Sequence, residues 1–242
     1  MKKLFLALLL LSLSACAFAQ QDYVGRYDVF AGFSYLNSPK LDLQQRGFNT
    51  QIGTNLRSWL AFGFDYSVQM GSASLVPNDL KTPYATALNN LVLAGKAGEI
   101  PGFPALPANY VLWAPFSATT QTFTLGPQLE YRHFKKATFF VHPSIGAMHE
   151  KIDLHPHDAF TTYVVLPALI QSGILPTLLP SDTTYFYGLG GGGEYNATQH
   201  VHIRADLEFV HVYLFSGILA DSRNSIRLSV GPTFNFGKNI MR

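Results

Sequence analysis

The strongest constraint on the fold of this chain is an alternation of apolar and polar residues that recurs in eight separate segments. Successive side chains of a β-strand point to opposite faces, so a period of two residues indicates a strand with one apolar and one polar face. In residues 60–70, for example, large apolar residues hold the even positions and small or polar residues the odd ones. The eight segments are 27–35, 48–56, 60–70, 122–132, 138–147, 185–195, 201–209 and 226–236.

Charges on the polar face indicate which way the strands face. A soluble barrel or sandwich turns its apolar face inward, whereas an outer-membrane barrel turns it toward lipid and lines its interior with the polar face. Charges of both signs favour the membrane arrangement, because they can pair across a narrow lumen. We interpret them as a paired plug rather than as a gate for small solutes. The expected luminal charge network consists of Glu130, Arg132, Glu194, Arg204, Asp206, Glu208 and Arg227.

The connections between the segments alternate in length. Long connections at about 36–47, 71–118, 150–183 and 216–223 alternate with tight turns at 57–58, 133–136 and 196–199. Outer-membrane barrels have short periplasmic turns and longer extracellular loops, and aromatic girdles at both interfaces. Tyrosine, tryptophan and phenylalanine also gather at the ends of these segments, as at Trp59, Tyr131, Tyr66 and Tyr185. The sequence therefore predicts an all-β fold, an eight-stranded antiparallel up-and-down transmembrane β-barrel with long external loops, whose interior is filled by side chains.

The first residues have the form of an export signal. Lys2 and Lys3 precede a short apolar run at 4–13, and Ala17-Phe18-Ala19 fits a small-residue cleavage site. We predict a cleaved signal peptide at 1–19, a barrel domain at 20–242 and a location in the bacterial outer membrane. The segment 13–16 also resembles a lipobox, so lipidation of Cys16 and its removal with the signal peptide both stay open.

With these residues identified, the chain resembles the eight-stranded outer-membrane β-barrel family typified by the transmembrane domain of outer-membrane protein A. The segments 190–196, 203–206 and 228–237 carry the resemblance, which extends over about 26–237. It implies the fold and the location, and it implies no catalytic residue. Barrels of this family usually end on an aromatic residue that the barrel-assembly machinery reads, but here Phe236 is followed by six further residues, so that signal would be internal.

Three prolines depart from an ideal strand pattern. Pro127, Pro143 and Pro232 fall inside predicted strands, where proline removes a hydrogen-bond donor from the ladder. Since a closed barrel has no edge strand, we expect β-bulges at these positions or strand ends that are shifted from the predicted limits.

Several function classes are disfavoured. The 17 basic and 15 acidic residues become equal in number once Lys2 and Lys3 are removed, and without a basic cluster we expect no nucleic-acid binding. The eight histidines match no zinc spacing, although His155 and His157 in a loop are a conceivable weak metal site, so we expect no metal and no cofactor. His142 and Ser144 share a face on the luminal side and no G-x-S-x-G motif is present, so we expect no catalytic residue and no enzyme.

The long connections 71–118 and 150–183 are unusually apolar. Long loops are uncommon unless they are functional, and we expect these to form short helices or hairpins over the barrel mouth, with a helix near 84–95. The predicted function is a non-enzymatic outer-membrane barrel with a structural or surface-interaction role and minor solute passage. The alternative is a carrier or channel for small hydrophobic molecules, similar to outer-membrane protein W, and a lipid-modifying enzyme is the least favoured. Expected partners are outer-membrane lipid, lipopolysaccharide, the barrel-assembly machinery, and a small hydrophobic ligand or surface partner at 71–118 and 150–183.

Overall fold

Eight strands form a closed barrel in which each strand is antiparallel to the next and the last pairs with the first. A computed structural model describes residues 21–173, 175, 179–220 and 223–241, so the predicted signal peptide and Cys16 lie outside the described residues. The predicted fold is confirmed. The strands are β1 (Tyr27–Ser38), β2 (Leu43–Arg57), β3 (Leu60–Leu75), β4 (Ala114–Tyr131), β5 (Ala137–Leu154), β6 (Ser181–Asn196), β7 (Val201–Val212) and β8 (Arg223–Phe236).

The apolar face of the wall points outward. Phe62, Leu125 and Leu207 are 43%, 44% and 42% exposed, whereas Glu130 and Arg204 are 7% and 3% exposed. A surface of this kind is stable only in hydrocarbon, because water would meet a continuous apolar belt around the barrel. The orientation is therefore that of a membrane barrel.

The polarity of the wall reverses near the end of the barrel that carries the long connections, which we call the loop end. On β3, the outward positions change from Phe64 and Met70 to Ser72 and Ser74, while the inward positions change from Gln69 to Ala73 and Leu75. The same change occurs on β4, where inward Thr120 and Thr122 give way to Ala118 and Phe116. The wall thus continues above the belt as a barrel with an apolar interior and a polar exterior, as in a water-soluble protein.

The height of the wall differs around the barrel. The strands β3 to β6 extend above the belt and form the tall side, whereas β1, β2, β7 and β8 end near its upper edge. For example, β6 begins at Ser181, but its pairing with β7 begins only at Phe186 opposite Val212. The long connections arise from the tall side and can therefore fold across the mouth.

A cap of helices and loops closes the mouth at the loop end. Helix α1 (Thr82–Ala97) lies in the β3–β4 connection, and a π-helical turn (Thr161–Val165) continues into α2 (Leu166–Gln171) in the β5–β6 connection. Their apolar residues pack with Phe116 and Leu43 of the wall in one buried cluster. The isolated bridge between Leu80 and Leu219 ties this cap to the low side. Among the described residues, no helix has the length and apolarity needed to cross a bilayer.

The opposite end of the barrel, the turn end, is closed by the described segments that precede β1 and follow β8, residues 21–26 and 237–241. The side-chain amide of Gln21 donates to the Thr138 hydroxyl at 2.7 Å, and the Asn55 amide donates to the Gly25 carbonyl at 2.9 Å. The Ile240 N–H donates to the carbonyl of Val24 at 2.9 Å. These bonds hold the segments before β1 and after β8 across the narrow opening.

The predicted bulges at the prolines are wrong. Pro127 pairs with Phe62 of β3, and Pro143 pairs with Leu189 of β6, without a register shift. Between β4 and β5 the two prolines face each other in a gap of the ladder, and the register is the same on both sides of this gap. Pro232 lies in a similar interruption of the β1–β8 ladder. Because the two missing N–H donors of β4 and β5 fall in one gap, the ladder is interrupted once and the register persists. The single register shift among the described strands lies between Asn55 and Arg57.

The predicted limits of the connections also need correction. The first runs only over 39–42, because β2 begins at Leu43, and it is shorter than the turn 132–136. The strict alternation of long and short connections therefore fails at that position. Parts of the predicted loops 71–118 and 150–183 are wall strands, whereas the helix predicted near 84–95 is confirmed as α1.

The reversal of polarity on β3 predicts that an added charge is costly in the belt and nearly neutral above it. Phe64→Arg places a cation in the belt and is expected to cost about 2–4 kcal/mol of unfolding free energy, whereas Ser74→Arg on the same face costs about 0–1 kcal/mol. Urea unfolding of both variants in lipid vesicles measures the difference. Equal costs at the two positions would show that the belt continues to the top of β3.

Candidate functional site

The lower part of the lumen holds two buried ion pairs near the turn end. Arg132 Nε donates to Glu130 at 2.7 Å, and Arg204 Nε donates to Glu194 at 2.6 Å. The Arg204 guanidinium also lies 4.7 Å from the centre of the Phe140 ring and donates to Gln51. In a low-dielectric interior such pairs are stable only with most of their hydrogen-bonding capacity satisfied, and here several neighbours complete each one.

The middle of the lumen is organised around Arg227. Its guanidinium lies 2.8 Å from Asp65 and 2.6 Å from Glu208, and it donates to the Ser67 hydroxyl at 3.0 Å. Ser144 donates a further hydrogen bond to Glu208. One arginine thus joins β3 to β7 across the barrel interior from its position on β8.

Asp206 belongs to a separate contact. Its carboxylate lies 3.1 Å from His142 Nε2, and each side chain is about one-seventh exposed. All seven residues of the predicted network point into the lumen. They form separate groups rather than one chain of direct ion pairs, and residues outside the prediction, among them Asp65, Gln51 and His142, complete those groups.

Sequence analysis missed the pair that lies highest in the polar interior. Arg223 donates to both carboxylate oxygens of Glu150, at 2.9 and 3.0 Å, and Thr120 donates to the same carboxylate at 2.8 Å. Both charged residues fell in segments that the alternation assigned to connections. One signal could have found this pair. Glu150 is an even-numbered residue of β5, and the even-numbered residues Ser144 and Met148 of that strand also point inward.

These contacts leave little space inside the barrel. Between the groups of charges, residues including Asp65, His142 and Asp206 line a cavity of about 20 Å³, which is the size of one water molecule. At this level of the lumen the described side chains therefore leave room for about one water molecule.

The cap above the lumen encloses apolar space. A cavity of about 60 Å³ is lined by Phe116, Leu154 and Leu219 among others, and a second of about 40 Å³ lies next to α2 near Leu112 and Val165. Both are far smaller than the roughly 150 Å³ apolar cavity that binds benzene in an engineered protein. A ligand would fit only if the cap moved.

Asp158 holds the two long connections of the cap together. Its carboxylate accepts from the Thr161 N–H and hydroxyl at 2.8 Å each, and from the Tyr110 hydroxyl at 3.1 Å. Partial burial acts to raise the pKa of Asp158, but the hydrogen bonds from Thr161 and Tyr110 and the nearby His157 outweigh it, so the pKa lies below its ordinary value. The charged form is therefore the one that the cap stabilises.

The remaining candidates from the sequence have ordinary structural surroundings. The His157 ring packs against Trp113 with ring centres 3.9 Å apart and planes inclined by 31°, and His155 Nε2 lies 3.2 Å from the Ser117 hydroxyl. Within the described parts of the chain, no cluster of three or more potential metal ligands occurs. His142 and Ser144 face the lumen, and each contacts a different carboxylate.

Solved structures of outer-membrane proteins share this architecture. OprG from Pseudomonas aeruginosa superposes with a TM-score of 0.51 at 9% identity, covering 90% of this chain and 99% of that chain. Neisserial surface protein A gives 0.46 at 14% identity with 87% and 96% covered, and Ail of Yersinia pestis gives 0.45 at 15% with 88% and 99% covered. The chain has the fold of the eight-stranded outer-membrane β-barrels. No family model and no curated protein matches the sequence.

The Arg223–Glu150 pair predicts that the stability of the barrel falls strongly when only one of the two partners is removed. Arg223→Met leaves a buried carboxylate unpaired and is expected to cost about 3–5 kcal/mol, whereas the double variant Arg223→Met/Glu150→Leu recovers most of that loss. The midpoints of urea unfolding, compared at equal m-values, give the change in unfolding free energy of the single and of the double variant. A double variant as unstable as the single one would contradict the pairing.

The Asp158 contacts predict an acid-sensitive cap. A carboxyl whose folded pKa is depressed contributes stability above its unfolded value, and that contribution is lost as the pH falls through the folded pKa. Protection of the Thr161 amide from hydrogen exchange, corrected for intrinsic rates, should be constant above about pH 5 and fall below about pH 4. Asp158→Asn should lower the protection at neutral pH and remove the acid transition; an unchanged transition would assign it to another group.

Proposed function

We propose that the protein is a non-enzymatic barrel of the bacterial outer membrane that holds its cap at the cell surface for surface interaction. In this proposal residues 1–19 are the export signal, the turn end faces the periplasm and the loop end faces outward. The barrel-assembly machinery would insert the chain, and outer-membrane lipid, including lipopolysaccharide, would surround the belt.

The closed lumen is the observation that carries this proposal. Buried ion pairs occur at three levels, at Arg204, Arg227 and Arg223, and the interior narrows to a cavity of about 20 Å³. Opening a path would require breaking buried charge pairs, each of which costs about 3–5 kcal/mol when one partner is lost. The lumen therefore supports a structural function better than steady solute passage.

The outer surface of the cap supports an interaction function. Tyr163 and Val111 are 74% and 69% exposed, and Leu93 of α1 is also exposed, although these residues lie above the lipid-facing belt. A surface partner could bury these side chains, and the removal of their apolar area from water would favour the contact. The cap also has a rigid base, because its buried residues share one cluster with the wall.

Conductance in planar bilayers tests the closed lumen. The full chain should give no steady ohmic current, because the charge pairs close the interior. A variant that removes only the middle level of charge pairs, Arg227→Ser/Asp65→Ser/Glu208→Ser, should also carry no steady current if it shows the folded band on a gel, because the pairs of Arg204 and Arg223 remain. A stable current from the wild-type chain would contradict the proposal.

A second candidate, the carrier for small hydrophobic molecules, is favoured by the two apolar cavities under the cap. At about 40 and 60 Å³ they would have to merge and enlarge for a ligand to enter. This candidate predicts that a change that fills one of these cavities, such as Ala114→Leu in the lining of the smaller one, lowers the uptake of an alkane by cells that express the barrel. Uptake that is the same with and without the barrel would remove the candidate.

A further inference from the structure

The outer wall carries a groove at the upper edge of the lipid-facing belt. Outward-facing side chains of β6, β7 and β8 border an open concavity of about 480 Å³, with Leu189 on one side, Phe209 in the middle and Ile226 on the other side. The groove lies on the low side of the barrel, where β7 and β8 end, and Pro39 from the short β1–β2 connection lies at its rim.

The register divides the groove into an apolar and a polar part. In the lower row Leu189 lies opposite Phe209, which lies opposite Ile226, and all three belong to the apolar belt. In the upper row Tyr187 lies opposite His211, which lies opposite Asn224. The groove therefore has an apolar floor toward the membrane centre and polar groups toward the loop end.

Side-chain contacts give the upper row a defined shape. The His211 ring lies 5.0 Å from Tyr187 and 4.9 Å from Tyr213, and its Nδ1 is 2.7 Å from the Asn224 Oδ1. A histidine that is held on both sides by aromatic rings and by an amide keeps one orientation. These contacts define the upper part of the groove.

We propose that this groove seats one acyl chain of a lipid in the leaflet at the loop end, with the polar group of the lipid beside His211 and Asn224. The groove is continuous with the belt that already contacts hydrocarbon, so a lipid chain is the apolar partner that lies next to it. An unfilled concavity of this size would lose the dispersion contacts of its walls, and water would meet mostly apolar side chains there. The order of polarity, apolar below and polar above, matches the order within a lipid.

A tryptophan reporter in the groove tests the proposal with the full chain. In a background with Trp59→Phe and Trp113→Phe, Tyr187→Trp places the reporter in the groove and Phe48→Trp places a control on the convex belt of β2. The two native side chains have similar exposure, 55% and 49%. The folded barrel in detergent is then titrated with phosphatidylethanolamine that carries dibrominated acyl chains, which quench tryptophan on contact.

The groove reporter should be quenched saturably by a single lipid per barrel. Because a seated ligand buries most of its surface in its site, we expect about a twofold loss of fluorescence at saturation, and only weak, non-saturating quenching of Phe48→Trp. A second change, Ile226→Phe, fills the groove and should abolish the saturable phase while the heat-modifiable folded band is retained. Equal quenching of the two reporters, or a saturable phase that survives Ile226→Phe, would overturn the proposal.

Discussion

Each face of a closed β-barrel wall must match the polarity of the medium that it meets. This requirement determines where apolar and polar residues lie along every strand. Along the belt the outward face meets lipid and the inward face meets its own polar groups, so apolar residues lie outside and charges inside. Above the belt the outward face meets water and the cap fills the interior, so the assignment reverses on the same strands. The reversal needs no bend or break, because neighbouring residues on a strand already point to opposite sides.

The buried charges follow from this constraint. An eight-stranded barrel is just wide enough for its own side chains, so Arg227 and Arg223 reach Asp65 and Glu150 on strands across the barrel. Such pairs contribute little net stability compared with apolar packing, yet losing one partner is costly. The ion pairs therefore act mainly against alternative arrangements of the luminal side chains and against an open lumen. The loop end is closed differently, by buried apolar residues of the cap such as Phe160 and Leu88.

The sequence predicted the number of strands, their order and the direction of the belt, because alternation over a whole strand is a local signal. It failed where the alternation changes sign: beyond Met70 the outward residues become Ser72 and Ser74, which a search for one continuous apolar face takes as the end of the strand. The Glu150 pair was missed for the same reason.

Helix α1 was found because its signal is local, and Gly98 ends it in a left-handed conformation. The bridge between the two loops and the partners of Arg227 depend on contacts between distant segments, which no local pattern contains.

Spin labels placed one at a time along β3 test the reversal of polarity most directly. Labels at outward positions 62, 64 and 70 in lipid vesicles should collide with oxygen dissolved in the bilayer, whereas labels at 72 and 74 should collide with a water-soluble nickel complex. We predict that this change occurs within the strand while the backbone of β3 stays paired with β2 and β4. If the labels at 72 and 74 report hydrocarbon like those at 62 and 64, the wall above the belt does not face water, and the account is contradicted.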